Sequence, residues 1–391
     1  MRRNHRRGLA LHWRSQVVLS YVNPWIEHDL KGGEHVSVRK MFRQKRPYAQ
    51  QSVPLLRAGG VRLVVYSHGN NIPARLTGPA EVEYMVRCFD ALVIEAGSNP
   101  DTRLVLTRRD LDRALAARKL GILLHMTGSP IHGDLAVLRG YARLGLRAAH
   151  PFLNDERVGG YAGGDRRVGL RPLGRAIVRE MERIGMLLDL THANDRCFRD
   201  VMRMVTRPVI DSHTCCRSLV DLERNRTDEQ LREIARTGGV VGVHFSSKLI
   251  RGPRTATSLL RERFMKGFRR KLAVMERRYP NPYEFLKHRY DPLEWPKILG
   301  GAVEDGTKIE RATVAQVVDQ LDRMVEVAGI DHVGVGTDYD NGDGCEINRA
   351  DKLPMLTGEL LRRGYRTEEV RKILGGNFLR VFRQCLPSEA A

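Results

Sequence analysis

Four side chains able to do metal or proton chemistry fall at the ends of short apolar runs. His192 closes "MLLDLTH" (186–192), His213 closes "PVIDSH" (208–213), His244 lies in "VVGVHF" (240–245) and Asp338 closes "HVGVGTD" (332–338). Imidazoles gathered beside a carboxylate are the donors that hold a divalent ion such as zinc, and a bound ion brings the pKa of its water toward neutrality. A carboxylate within reach then takes that water's proton as it attacks a carbonyl carbon. Each histidine alone is more simply explained by a hydrogen bond to a nearby backbone carbonyl. The conjunction of His192, His213 and Asp338 points to a site.

The elements that must position these groups repeat. Besides the four runs above, "VVLSYV" (17–22), "VRLVVYSH" (61–68), "GILLHM" (121–126) and "LRAAHPF" (146–152) read as buried strands, which makes eight. Between them, segments 79–96, 134–145, 172–185, 227–238 and 313–329 place apolar residues at helical spacing. Gly145, Gly185, Gly238 and Gly329 stand where those helices end and the next strand begins, and Thr227 reads as an N-cap before acidic residues. The alternation predicts a (β/α)8 TIM-type barrel, with an open doubly wound sheet as the runner-up. In a barrel, catalytic groups sit at the C-terminal ends of strands, so the four side chains converge on one rim.

Charge is uneven. The 391-residue chain has 66 Lys plus Arg against 46 Asp plus Glu, a net +20, and the stretch from Arg251 to Arg289 alone carries nine of that excess. It lies in a segment, 247–310, that interrupts the rhythm between the seventh and eighth strands. That segment predicts a basic helical insertion over one barrel end, with an anionic partner at Arg251–Arg289 as one use of it. Its aromatics, Phe264, Phe268, Tyr279, Tyr283 and Phe285, suit a packed helix face better than base stacking.

Residues 1–16 read as a basic tail and 17–391 as one domain. Arg14 and Gln16 interrupt any signal core, no run reaches membrane-span length, and six scattered cysteines do not form a disulfide framework. The expectation is a soluble cytoplasmic protein with reduced thiols.

The wording of the second half carries a resemblance. "LGRAIVREMERIGMLLDLTHAN", "RPVIDSHTCCRSLVDLERNRTDEQLREIARTGGVVGVHF", "VAGIDHVGVGTDYD" and "ELLRRGYRTEEVRKILGGNFLRVF" resemble, in order, the membrane (renal) dipeptidase family of zinc peptidases. The likeness runs from about Val53 to Phe382 and is most specific from residue 172 onward. It implies a (β/α)8 barrel that hydrolyses dipeptides with two zinc ions bridged by a glutamate. His192 and His213 then resemble the histidines of one zinc site, Arg224 the arginine that binds the substrate carboxylate, and Asp338 the catalytic acid/base.

The other half of the family pattern is missing. Tyr21 and Asn23 stand where a His-x-Asp pair is expected, Met126 where the bridging glutamate is expected, and Leu153 near the position of a substrate-facing histidine. His244 is then an additional ligand candidate, while His125, expected to point away if Met126 points in, is a weak substitute, as are His68 and His28. The expectation is one zinc, or two if the N-terminal register is different, and a small peptide or amide substrate. A homodimer is compatible with the sequence, which does not fix the oligomeric state. The alternative is an inactive binding protein on the same fold.

Overall fold

Among the described residues nine strands form, and apart from the short third one each is a run rich in apolar and β-branched residues that is buried on both faces. They are β1 (Val17–Val22), β2 (Val61–His68), β3 (Thr102–Leu104), β4 (Leu120–Thr127), β5 (Leu146–His150), β6 (Leu187–Leu188), β7 (Ile210–Thr214), β8 (Val240–His244) and β9 (Val333–Tyr339). All pairings between them are parallel, in the order β6-β5-β4-β2-β1-β9-β8-β7, with β3 added beside β4. A parallel bridge between Asp189 and Ile210 joins β6 to β7 and brings the ring of eight to near closure. The fold is a (β/α)8 barrel, and the eight runs expected from sequence are its eight strands. This computed structural model describes residues 2–27, 36–44, 49–69, 76–252, 274, 277–279, 311–340 and 344–388.

Alternation along the strands sorts the apolar side chains into two layers. Val18, Leu63, Val65, Leu123, Ala148, Leu187, Ile210 and Val240 fill the barrel interior with Phe378 and Phe382 of the C-terminal helix Asn377–Cys385. Leu19, Val64, Tyr66, Ile122, Leu124, Met126, Val241 and Val243 face the surrounding helices instead. Gly334 is required by the inner layer, because a Cβ there would meet the Phe378 ring at 2.5 Å. The helices start and stop as their sequences direct. Thr227 and Gln230 form a reciprocal capping box, and Gly145, Gly185, Gly238 and Gly329 all adopt positive φ at the helix-to-strand junctions.

One expectation changes. The opening basic stretch is not a solvated tail: Arg2–Arg14 is an α-helix, and its His12 is buried between Gly59 O (2.8 Å) and Thr357 Oγ1 (2.7 Å). Burial pulls the His12 pKa down, so the ring is neutral and bonds as an uncharged donor and acceptor. Of the insertion, Ser247–Arg251 is a short helix and Tyr279 packs against the outer core, while 253–273, 275–276 and 280–310 lie outside the described residues. The basic helical excursion and its anionic partner therefore remain sequence expectations. All six cysteines are buried and free, and no helix among the described residues is long and apolar enough to cross a membrane.

Candidate functional site

Strands β4 to β8, with the turn that follows β6, bring an arc of five imidazoles to one end of the barrel. Ring centres lie 5.1 Å apart for His125 and His150, 5.0 Å for His150 and His192, 5.5 Å for His192 and His213, and 5.2 Å for His213 and His244. Tyr21 stacks on His213 at 3.9 Å. The strand-end rule that singled out His192 and His213 applies equally to His150, the last residue of β5. Leu153, near the position expected for a substrate-facing histidine, lines a neighbouring cleft of about 740 Å³ with Gly69, Thr127, Ser129, His132 and Arg157.

Asp338 is held from two sides. Asn23 Nδ2 donates to its Oδ1 over 3.0 Å, and His244 Nε2 lies 3.2 Å from its Oδ2. The backbone N–H of Ser246 donates to His244 Nδ1 at 2.9 Å. With Nδ1 accepting, the neutral ring carries its proton on Nε2 and gives it to Asp338. His244 is thus built to orient Asp338. The backbone reinforces this: Thr337 (φ 86°) and Asp338 (φ 61°) both sit in the left-handed region, a costly conformation for a β-branched residue. Thr337 is kept there by Thr337 Oγ1 donating to Tyr21 O (3.0 Å) and by its carbonyl accepting from Phe245 N (3.1 Å).

His192 occupies a turn with φ 72°. Its flanking carbonyls are gripped by the buried Arg226, which donates to Ala193 O at 2.7 Å and to Leu190 O, while its Nε meets Asp211 Oδ2 at 2.5 Å. The same guanidinium lies over the Phe198 ring, 4.9 Å from its centre. Arg224, two residues earlier, donates to His213 O at 2.8 Å, and its other terminal nitrogen, Nη1, is buried without a hydrogen-bond partner. Glu223, the residue before it, pairs with Arg166 at 3.3 Å.

Beneath this rim the interior is polar. His125 joins Asp189 (Nε2 to Oδ2, 3.2 Å) and Ser67 (Nδ1 to Oγ, 2.6 Å). Thr127 Oγ1 meets Ser67 Oγ (2.6 Å), the Tyr21 hydroxyl (2.7 Å) and His150 Nε2 (3.1 Å). The expected register of β4 is therefore corrected: His125 and Thr127 point inward and Met126 packs with Ile122 and Leu124 in the outer layer. Burial works against the Asp189 carboxylate, but the hydrogen bond from His125 and the neighbouring imidazoles hold its pKa below the usual range. Burial, with Asp338 nearby, raises the Tyr21 pKa, so the phenol keeps its proton.

Burial also pulls the His150 pKa down to about 3, and those of His192 and His213 well below the usual value, with Arg224 the next cause for the last two. Neutral imidazoles are the form that ligates a metal. Three of their nitrogens, His150 Nδ1, His192 Nε2 and His213 Nε2, are buried with no hydrogen-bond partner. Such orphaned polar atoms are costly unless a ligand uses them, so these residues fit a cation. Among the described residues, the group of three metal-capable side chains whose ligating atoms all lie within 4.8 Å of one another is His213, His244 and Asp338. Tyr21, Asn23 and Thr127 add only neutral oxygen or amide groups.

The membrane dipeptidase family model (Peptidase family M19) matches residues 18–389. Rat Dipeptidase 3 is 27% identical over 345 residues, 86% of this chain, and the chain spans only 58% of that protein's length. A Klebsiella pneumoniae protein described only as uncharacterised, in the pqqA 5′ region, is 25% identical over 290 residues, 72% of this chain and 88% of its own. Among solved structures, the probable dipeptidase PvdM from Pseudomonas aeruginosa superposes with a TM-score of 0.74 at 21% identity, covering 100% of both chains. A Rhodobacter sphaeroides metallo peptidase, liganded with a phosphinate mimic of the dipeptide L-Ala-D-Ala, gives 0.70 at 20% identity over 95% of this chain and 99% of that one. At these identities the structural likeness speaks for the fold.

Proposed function

The chain belongs to the membrane dipeptidase family, and on that premise we propose that it is a metal-dependent hydrolase of dipeptides or similar small amides, working with a single zinc ion. The observation that carries the reading is the pair of buried, unpartnered Nε2 atoms of His192 and His213 beside the unpartnered Nη1 of Arg224. In this reading His192 and His213 hold the ion. Arg224 pairs with the substrate carboxylate, for which a planar guanidinium is the matching donor. Asp338 takes the proton of the attacking water and returns it to the leaving amine, with Asn23 and His244 fixing its orientation. The ion supplies a more acidic water and a polarised carbonyl.

Among the described residues, a bridged pair of ions lacks its donors. Tyr21 and Asn23 replace an imidazole and a carboxylate, and the inward group of β4 is the Thr127 hydroxyl where a bridging carboxylate is needed.

A second reading, a dipeptidase-fold binding protein without turnover, is favoured by one observation: both Asp338 oxygens already accept hydrogen bonds, from Asn23 and His244. Metal per chain by mass spectrometry, in the parent and in a His192→Ala/His213→Ala variant, tests the first reading together with turnover of a dipeptide panel. One zinc in the parent, none in the variant and release of amino acids support it. Zinc without turnover moves the conclusion to the binding protein, and no zinc after loading removes the metal-centred reading.

A further inference from the structure

The proton on His150 is placed by groups deeper in the barrel. A carboxylate can only accept, so Asp189 Oδ2 takes the Nε2 proton of His125 across 3.2 Å. With that single proton on its ring, His125 accepts at Nδ1, from the one proton of Ser67 Oγ at 2.6 Å. Ser67 must in turn accept from Thr127 Oγ1, also at 2.6 Å. Thr127, its proton committed, accepts from His150 Nε2 at 3.1 Å. What remains is His150 Nδ1 with a bare lone pair, buried and unpartnered.

A second relay runs from the same carboxylate. Thr191 Oγ1 lies 2.7 Å from Asp189 Oδ1 and from Asp211 Oδ1, Ser212 Oγ lies 3.2 Å from Thr191, and His213 Nδ1 lies 2.8 Å from Ser212. With each proton directed toward the carboxylates, His213 keeps its proton on Nδ1 and bares Nε2.

We propose that His150 is the third imidazole donor to the ion held by His192 and His213, its lone pair presented by the Asp189–His125–Ser67–Thr127 relay, and that Asp338 stays outside the donor set. This rests on the single-ion reading above. The three ring centres form a triangle with sides of 5.0, 5.5 and 6.1 Å. Three neutral imidazoles leaving one position open is an established zinc donor set, and hydrogen bonds to the far nitrogen of each ring are what normally orient it. The tighter group of His213, His244 and Asp338 offers less, because the proton on His244 Nε2 is already given to Asp338.

The test is Co²⁺ binding to the chelator-stripped full chain, read as affinity by competition and as the visible absorption of the bound ion. His150→Ala is expected to weaken Co²⁺ and to change the spectrum. Thr127→Val, which keeps the His150 ring and breaks its relay, is expected to weaken Co²⁺ about tenfold. Thr127→Ser, which keeps the hydroxyl, is expected to restore binding, and Asp338→Asn to leave affinity within about twofold of the parent. Full-strength binding by both His150→Ala and Thr127→Val, with tenfold loss in Asp338→Asn, overturns the proposal in favour of Asp338 as the third donor. Should His150→Ala fail to fold, nitrogen NMR of the metal-free parent decides: a proton on His150 Nδ1 overturns the proposal and a bare Nδ1 supports it. Parent-like Co²⁺ binding by His192→Ala/His213→Ala signals failure of the single-ion reading itself.

Discussion

Arg226 holds the backbone on both sides of His192, donating to Leu190 O before it and to Ala193 O after it. The grip depends on Asp211, since a buried guanidinium is tolerated only when its charge is paired. Arg226→Met is therefore expected to cost about 3–5 kcal/mol by leaving Asp211 buried and unpaired. Urea unfolding checks it, and the Arg226→Met/Asp211→Asn double variant should lose less than the sum of the single losses. Metal content of whatever folds should fall with the loss of the His192 turn.

Gly336 lies against the strand that carries His213. A Cβ at this position would meet the Ser212 carbonyl oxygen and the His213 Cα, the latter at 2.9 Å. Gly336→Ala is expected to destabilise by about 1–3 kcal/mol through overpacking. It should also weaken zinc, because the backbone that must yield is that of His213. Thermal unfolding with and without zinc separates the two effects, since ligand-linked stabilisation shrinks only if affinity falls.

Arg224 should act on one end of the substrate. A charged hydrogen bond is worth about 1.5–3 kcal/mol, so Arg224→Met is expected to raise KM for a free dipeptide by roughly ten- to a hundredfold with a smaller change in kcat. The matching dipeptide amide, which has no carboxylate, should be handled alike by parent and variant. Equal loss on both substrates would assign Arg224 to holding His213 alone.

A pH effect is expected at the neighbouring Asp340. Burial raises its carboxyl to about 7, against the hydrogen bonds from Gln50 N and from Trp25 Nε1 at 2.7 Å. The folded state thus holds this proton over a range in which the unfolded chain, with a carboxyl pKa of about 4, has lost it. The stabilising contribution is complete below about pH 4 and is lost as pH rises through about 7. Asp340→Asn should remove that slope from denaturation midpoints measured across pH 4–8, and with it any fluorescence titration of Trp25 centred near 7.

The strands and their glycine stops were legible because parallel strands buried on both faces leave continuous apolar runs, and because helix ends need positive φ. The register of β4 was not. Hydrophobic pattern marks what faces the helices, here Ile122, Leu124 and Met126, while the inner face at the barrel mouth is polar: Ser67, His125, Thr127. Matching the family pattern by sequence therefore turned Met126 inward and, by alternation, His125 outward. Pairing irregularities in β1, between Leu19 and Val22, broke strict alternation just before Tyr21 and Asn23. His150 was readable from its place at a strand end. The helix Arg2–Arg14 was not, since its buried histidine is satisfied by partners 47 and 345 residues away.

The ring of strands meets itself at the Asp189–Ile210 bridge, where Leu190 N donates to Ile210 O at 2.7 Å and Ser212 N donates to the Asp189 side chain at 3.0 Å. The carboxylate that begins both hydrogen-bond relays is thus also part of the clasp that closes the barrel. Mechanical integrity and chemical readiness share one fastening: parting β6 from β7 would pull on the same Asp189 carboxylate that fixes which nitrogen of His125 and His213 carries its proton.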